Sequence, residues 1–119
     1  MNEGDVILTP LPQADGKTKN RPAIVLREMP PFGDILVCGI ITQLHQFTPG
    51  FDELIQQDHD DFAASGIIRT SVIRLGYLAV LPSKNVLGSI GAVSPERHRG
   101  LLQNLSSYLM KKCRNKGEL

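Results

Sequence analysis

Arg21 stands directly before Pro22 and an apolar run, Ala23-Ile24-Val25-Leu26. Proline fixes its own φ and drives the preceding residue toward extended backbone. This predicts Arg21 at the lip of a strand, on stiff backbone and facing outward. A guanidinium held that way offers a planar fork of donors that grips a phosphate or a carboxylate. The alternative use is a surface ion pair with Glu28 or Asp34. Lys17, Lys19, Arg69 and Arg74 extend a modest positive patch. The patch suits an anionic ligand or serves as ordinary solubilising charge. Asp58-His59-Asp60-Asp61 has the residue types of a metal site without ligand spacing across a helical turn. It reads as a solvated loop with a helix N-cap. His98 reads as a helix-surface residue.

Short strands must position these groups. Asp5 to Leu11 reads as a first strand, and residues 12 to 20 as an exposed loop. Ala23 to Arg27 is the second strand, closed by a turn at Pro30-Pro31-Phe32-Gly33. Ile35 to Ile41 is a continuous apolar run, short enough for a buried strand. Phe51 to Gln57 suits a polar edge strand, and Asp60 to Ser65 one helical turn ending at Gly66. Ser71 to Ile73 and Tyr77 to Leu81 read as further strand segments. Pro82 and Gly88 then punctuate the chain.

One helix is well marked. Ser94 is an N-cap residue, Pro95 fits the first helical position, and Glu96 complements the helix dipole. Leu101, Leu105, Tyr108, Leu109 and Lys112 follow helical spacing, with Leu102 beside them. Lys111, Lys112 and Arg114 suit the negative end of the helix, and Lys116 to Leu119 are expected to fray. Strands separated by turns, with one terminal helix, predict a mainly β fold: a small bent barrel with a C-terminal helix packed on it.

The chain has 119 residues, which fits one domain over 1–119 with a core near 3–112 and a tail from 113. Hydrophobic residues make up 41%, enough for a real core. A net charge of +1 argues against nucleic-acid binding by bulk charge but permits a local basic patch. Aromatics at 5% argue against base stacking as the main source of affinity. Cys38 lies in an apolar run and Cys113 in a polar tail, so no structural disulfide is expected. No apolar run approaches membrane-spanning length, and Met1 to Asp5 lacks a signal-peptide layout. A cytoplasmic location is the expectation.

The order of these motifs resembles the PemK/MazF family of bacterial toxins, which includes Kid. Carrying the resemblance are Gly4-Asp5-Val6-Ile7, Asp15-Gly16-Lys17, and Arg21-Pro22 with its apolar strand. Ile41-Thr42-Gln43, Ser71-Val72-Ile73-Arg74 and Ile90-Gly91-Ala92-Val93-Ser94-Pro95-Glu96 follow in the family's order. The resemblance implies an SH3-like (PemK/CcdB-like) barrel, a homodimer and an antitoxin protein as partner. It implies a metal-independent endoribonuclease, with no cofactor, that cuts single-stranded RNA. In that chemistry the ribose 2′-hydroxyl attacks the adjacent phosphorus and leaves a 2′,3′-cyclic phosphate and a 5′-hydroxyl.

The same resemblance assigns roles. Arg21 grips the phosphate and stabilises its charge, and Thr42 bonds a phosphate oxygen unless it merely fills a strand position. Arg74 matches an arginine that acts as general acid in some members; a second register would put Arg69 there. Gln43 contacts a base edge or phosphate; by their charge rather than by the resemblance, Lys17, Lys19 and Arg69 support RNA binding or serve loop solubility. Arg21 and Thr42 are expected to meet over the scissile phosphate. The sequence departs from the pattern where some members carry an acidic residue two positions after that arginine: here it is Gly76. Lys17 roughly replaces a loop histidine. His45 is the nearest substitute base, on the Gln43 side by strand alternation, or else a loop residue without a role. The missing carboxylate sustains an alternative: a weak or inactive barrel acting by protein binding, as CcdB-like gyrase poisons do. A plain SH3-like interaction module is the third reading, and the lack of an aromatic groove counts against it.

Overall fold

The computed structural model describes residues 1–112. The elements are β1 (Asp5–Pro12), β2 (Thr18–Met29), β3 (Asp34–Ile41), β4 (Glu53–Ile55), α1 (Phe62–Ser65), β5 (Ser71–Leu81), β6 (Gly88–Ala92) and α2 (Pro95–Leu109). Single 3-10 turns lie at Leu44–Gln46 and Ser83–Asn85. The strands form one six-stranded sheet in the order β4-β5-β3-β2-β1-β6, antiparallel throughout. The expectations for Cys113, Arg114 and Lys116 to Leu119 fall outside the described residues.

The sheet curls because its two edges are joined. The chain leaving β4 at one edge forms α1, which packs on β6 at the other. Two glycines permit that approach. A Cβ on Gly66 would fall 2.1 Å from the Ile90 carbonyl oxygen, and one on Gly91 2.3 Å from that of Ala64. Gly66 also ends α1 with φ +76°, a left-handed value that favours glycine. Alternation along the strands builds two apolar layers, one on each face. Ile24, Leu26, Cys38, Ile40, Ile73 and Leu75 face α2 through Leu101 and Leu105. Ile7, Leu11, Ala23, Val25 and Val37 form the other layer. Cys38 is fully buried, and burial pushes its thiol up to about 12, so it stays protonated.

The N-terminus of α2 follows the sequence closely. Ser94 Oγ accepts from the Arg97 amide at 3.1 Å, and Pro95 opens the helix. Burial of Leu101 and Leu105 contributes about 1.5–3 kcal/mol each. Leu109, expected in the same stripe, is 69% exposed. Tyr108 beside it is also exposed, at 55%, with its ring 4.9 Å from that of Phe51. His98, expected on the surface, is half-buried and donates from Nε2 to the Leu26 carbonyl at 2.8 Å.

Three element expectations need correction, and one strand, β6, is unexpected. The loop expected over 12–20 is a turn at 13–17, because the polar segment from Thr18 pairs with β1 and extends β2 backward. The strand expected over Phe51 to Gln57 shrinks to Glu53–Ile55. Asp52 is buried instead and accepts from the Thr48 and Leu75 amides. Ser71 to Ile73 and Tyr77 to Leu81 are one strand with a wide bulge. Ile73 pairs with Ile40 and Leu78 with Cys38, so Arg74 to Tyr77 face Gly39 alone. β6 carries no alternating pattern and is read only from its pairing with β1.

Candidate active site

β3 ends at Ile41, whereas β2 runs beside the same end back to Thr18. The β2–β3 pairing begins at Ala23 and Gly39. Residues Thr18 to Pro22 therefore have β1 as their one ladder neighbour, and the missing N–H of Pro22 breaks no β3 bond. Arg21 is thus not at a strand lip, as its sequence context suggests, but within the arm of the β1–β2 hairpin, opposite Thr9. Its backbone is still stiff, because the hairpin ladder holds it.

Arg21 is half-buried and donates from Nε to Gln13 Oε1 at 3.0 Å. Both of its Nη groups make no hydrogen bond among the described residues. The surface pairing with Glu28 or Asp34 is not formed; among the described residues ion pairs join Arg27 to Glu3, and Arg97 to Glu53 and Asp61. Gln13 Nε2 donates to the Tyr77 hydroxyl at 2.7 Å and to the Leu11 carbonyl at 3.0 Å. Tyr77 in turn donates to the Pro12 carbonyl at 2.9 Å.

The β5 bulge aims Arg74 at this point. Its guanidinium carbon lies 5.9 Å from the Tyr77 ring centroid, and Nη1 donates to Gln46 Oε1 at 3.2 Å. Bulges commonly re-aim side chains beside functional sites. Gly39 makes room for the ring, since a Cβ there would fall 2.3 Å from Tyr77 Cδ2. Arg21, Arg74 and Gln43 consequently line one cleft of about 320 Å³ together with Gln13, Gln46 and Tyr77. Two guanidiniums, three amides and a phenol face it, and among its lining residues none is a carboxylate or an imidazole. Such a set stabilises concentrated negative charge and has no ordinary proton acceptor.

Thr42 and Arg69 lie elsewhere. They line a neighbouring groove with Pro22, Ile40 and Ile67, on the other face of the strand ends. Strand alternation explains the split: Arg21, Ile41 and Gln43 point one way, and Pro22, Ile40 and Thr42 the other. Arg21 and Thr42, expected to meet over the scissile phosphate, therefore line two adjacent clefts rather than one. Thr42 is exposed. Lys17 and Lys19 are exposed on the hairpin and line neither cleft, and His45 is exposed on the 3-10 turn. Sequence reasoning missed Gln13, Gln46 and Tyr77, which only the hairpin register and the bulge bring together.

The acidic run near His59 is a solvated loop only in part: Asp58 and Asp60 are exposed, and Asp61 is not. Asp61 is buried and accepts from Arg97 Nε at 2.7 Å and from the Ser94 amide at 3.1 Å. Arg97 also donates to Glu53 Oε1 at 2.9 Å and to the Leu54 carbonyl at 3.0 Å. His59 Nδ1 accepts from Arg97 Nη2 at 3.0 Å and from the Gln56 amide at 3.2 Å. A cation thus fills the centre of the cluster and pins α2 to the β4–α1 connection. Burial alone would raise the Asp61 carboxyl, but the Arg97 hydrogen bond, the Ser94 amide and the Arg97 charge hold it below the ordinary range. Glu53 moves upward, because burial outweighs its contacts with Arg97.

A family model described as PemK-like, MazF-like toxin of type II toxin-antitoxin system matches residues 2–111. The chain belongs to this family. The solved structure of the Mycobacterium tuberculosis toxin MazF-mt6 aligns with 92% of this chain and 99% of its own, with a TM-score of 0.64 at 18% identity. That likeness establishes a shared fold. No curated protein matches the sequence. The chain is accordingly a PemK/MazF-type toxin of mainly β architecture with a C-terminal helix. Among its described residues no helix is long and apolar enough to cross a membrane.

Against the PemK/MazF pattern, Gly76 falls inside the β5 bulge. A Cβ at this position would stand 3.8 Å from Arg74 Nη2. The position that holds an acidic residue in some members therefore points at the Arg74 guanidinium here.

Proposed function

We propose that this toxin is an endoribonuclease that cuts single-stranded RNA without a metal ion. The observation that carries the reading is the convergence of Arg21 and Arg74, from separate strands, on one cleft without a carboxylate. The scissile phosphate sits at the end of β3, between the two clefts. Arg21 presents its free Nη donors to the non-bridging oxygens, and Thr42 adds a hydroxyl from the opposite side. As the 2′-oxygen bonds to phosphorus, charge builds on the phosphorane, and the two guanidiniums stabilise it. Arg74 donates a hydrogen bond to the departing 5′-oxygen. Hydroxide or water takes the 2′-proton, and water completes protonation of the leaving group. The P–O5′ bond breaks to give a 2′,3′-cyclic phosphate and a 5′-hydroxyl. Gln43 and the hairpin lysines Lys17 and Lys19 steer the flanking RNA.

In this reading the cell supplies a cognate antitoxin whose acidic segment covers the same basic cleft, and the toxin works as a homodimer in the cytoplasm. Long single-stranded RNA incubated with the protein in EDTA tests the proposal. Site-specific cuts with cyclic ends, lost in Arg21→Ala and weakened in Thr42→Ala, support it. A second reading rests on Gly76: a cleft that binds phosphate without cutting, in a toxin that acts by protein binding. Tight RNA binding with no cleavage at high protein concentration selects that reading.

A further inference from the structure

We infer that Tyr77 is a positioning residue that sets both arginines of the cleft: Arg21 through Gln13, and Arg74 through its ring. The inference rests on the RNA-cleaving reading above and deepens it. Arg21 and Arg74 carry like charges, which repel across a shared cleft. None of the residues lining that cleft is a carboxylate that could hold them. A carboxylate would fix a guanidinium and also cancel charge meant for the phosphate. An amide and a phenol fix it and leave the charge whole. Gln13 and Tyr77 supply that pair.

Two backbone carbonyls fix the donor sense of the relay, because carbonyls only accept. The Gln13 amide nitrogen therefore faces the Leu11 carbonyl at 3.0 Å, and its second hydrogen goes to the Tyr77 hydroxyl at 2.7 Å. The Tyr77 proton goes to the Pro12 carbonyl at 2.9 Å, so this phenol has none to give a leaving group. Gln13 Oε1 is left to accept from Arg21 Nε at 3.0 Å. That bond uses the single hydrogen on Nε and leaves both Nη groups for a ligand.

Both ends of the relay are anchored before RNA arrives. The Gln13 backbone amide donates to the Lys17 carbonyl at 2.7 Å, and the Gln13 carbonyl accepts from the Gly16 amide at 3.0 Å. Tyr77 sits in the space that Gly39 leaves, where a Cβ would fall 2.7 Å from Cε2 of the ring. The Arg74 guanidinium carbon lies 5.9 Å from the ring centroid, within reach of a cation–π contact. One side chain thus braces a cation from β2 and a cation from its own strand. Donors fixed in advance stabilise a transition state without reorganising during the reaction.

The test is single-turnover cleavage of RNA by the full chain, together with the Nε–H NMR signal of Arg21, assigned by its loss in Arg21→Ala. Tyr77→Phe keeps the ring and removes the hydroxyl, and Gln13→Met removes the amide at similar length. Each is expected to cut about tenfold more slowly with a melting temperature close to wild type, because slight misplacement of a reacting group is costly. The double variant should cut no more slowly than either single one, since both break the same link. The Arg21 Nε–H signal should be sharp in the wild type and broadened by exchange in both single variants. Tyr77→Leu also frees Arg74 and is expected to cost about 10²-fold. Losses that multiply in the double variant, or a wild-type rate in Tyr77→Phe, would overturn the relay and leave RNA cleavage standing. A wild type that never cuts rejects the cleavage reading; the relay then stands if Tyr77→Phe broadens the Nε–H signal and falls if the signal is unchanged.

Discussion

A Cβ built on Gly76 lies 3.8 Å from Nη2 of Arg74. A carboxylate grown from this position meets the one guanidinium that the bulge presents to the cleft. Gly76 has no left-handed φ, so a side chain fits its backbone. Gly76→Glu is expected to raise cleavage by about tenfold or more, since a positioned general base contributes about 10²–10⁴-fold. The wild-type rate should climb about tenfold per pH unit through neutrality, because hydroxide takes the proton. The variant's rate should level off above the pKa of its new carboxyl. Single-turnover cleavage against pH measures both. A fall in rate would mean that Arg74 must stay unpaired to act.

Arg21→Ala and Arg74→Ala should each cost about 10²–10³-fold in cleavage. Arg21→Lys should restore little, because one ammonium cannot use the Gln13 contact and grip two oxygens at once. Thermal melting should show both alanine variants folded, as neither side chain is buried.

Gly39→Ala should act through Tyr77. The added methyl would lie 2.3 Å from Cδ2 of the ring, so the ring must leave its seat and release Gln13. Overpacking of this kind costs about 1–3 kcal/mol. Denaturant unfolding should show that loss, and RNA cleavage should drop with it although position 39 lines no cleft.

Salt dependence counts the cations that reach RNA. Each phosphate contact on a single strand contributes about 0.7 to the slope of log affinity against log salt. Arg74→Ala and Arg69→Ala should each reduce the slope by about that amount. A slope unchanged in Arg69→Ala would remove this residue from the RNA path.

Acid stability should depend on Asp61. Its pKa is depressed in the folded protein, where burial is outweighed by the Arg97 and Ser94 contacts. The stabilisation it brings is present above the unfolded value, about pH 4, and is lost as pH falls through the lowered folded value. Glu53 has the opposite sign: its folded pKa is raised, so its contribution is present at acid pH and fades as pH rises through that folded value. Melting temperature between pH 5 and 3 should fall more steeply in the wild type than in Asp61→Asn. Parallel curves would contradict the assignment.

Local chemistry was legible in the chain, and long-range register was not. The Ser94-Pro95 start of α2 and the Gly66 stop of α1 need only their own neighbours, and both formed as read. Arg21 stands out in the sequence because proline stiffens its backbone, yet its place in a hairpin arm depends on pairing with Thr9. Thr18 to Asn20 are too polar to announce a strand, and ladder bonds to β1 make them one. Gln13 and Tyr77 are 64 residues apart and meet because a bulge opposite Gly39 turns β5. The same distance problem hid Arg97, whose partners lie on β4 and beside α1.

The most direct test uses two RNA oligomers that differ at one atom. A site mapped in long RNA is synthesised with either ribose or 2′-deoxyribose immediately 5′ of the cut, and each is incubated with the toxin in EDTA. The ribose form should be cut to a 2′,3′-cyclic phosphate and a 5′-hydroxyl, and the deoxy form should stay intact. Cleavage of the deoxy form, or cleavage that survives Arg21→Ala, would contradict attack by the 2′-hydroxyl under an arginine pair.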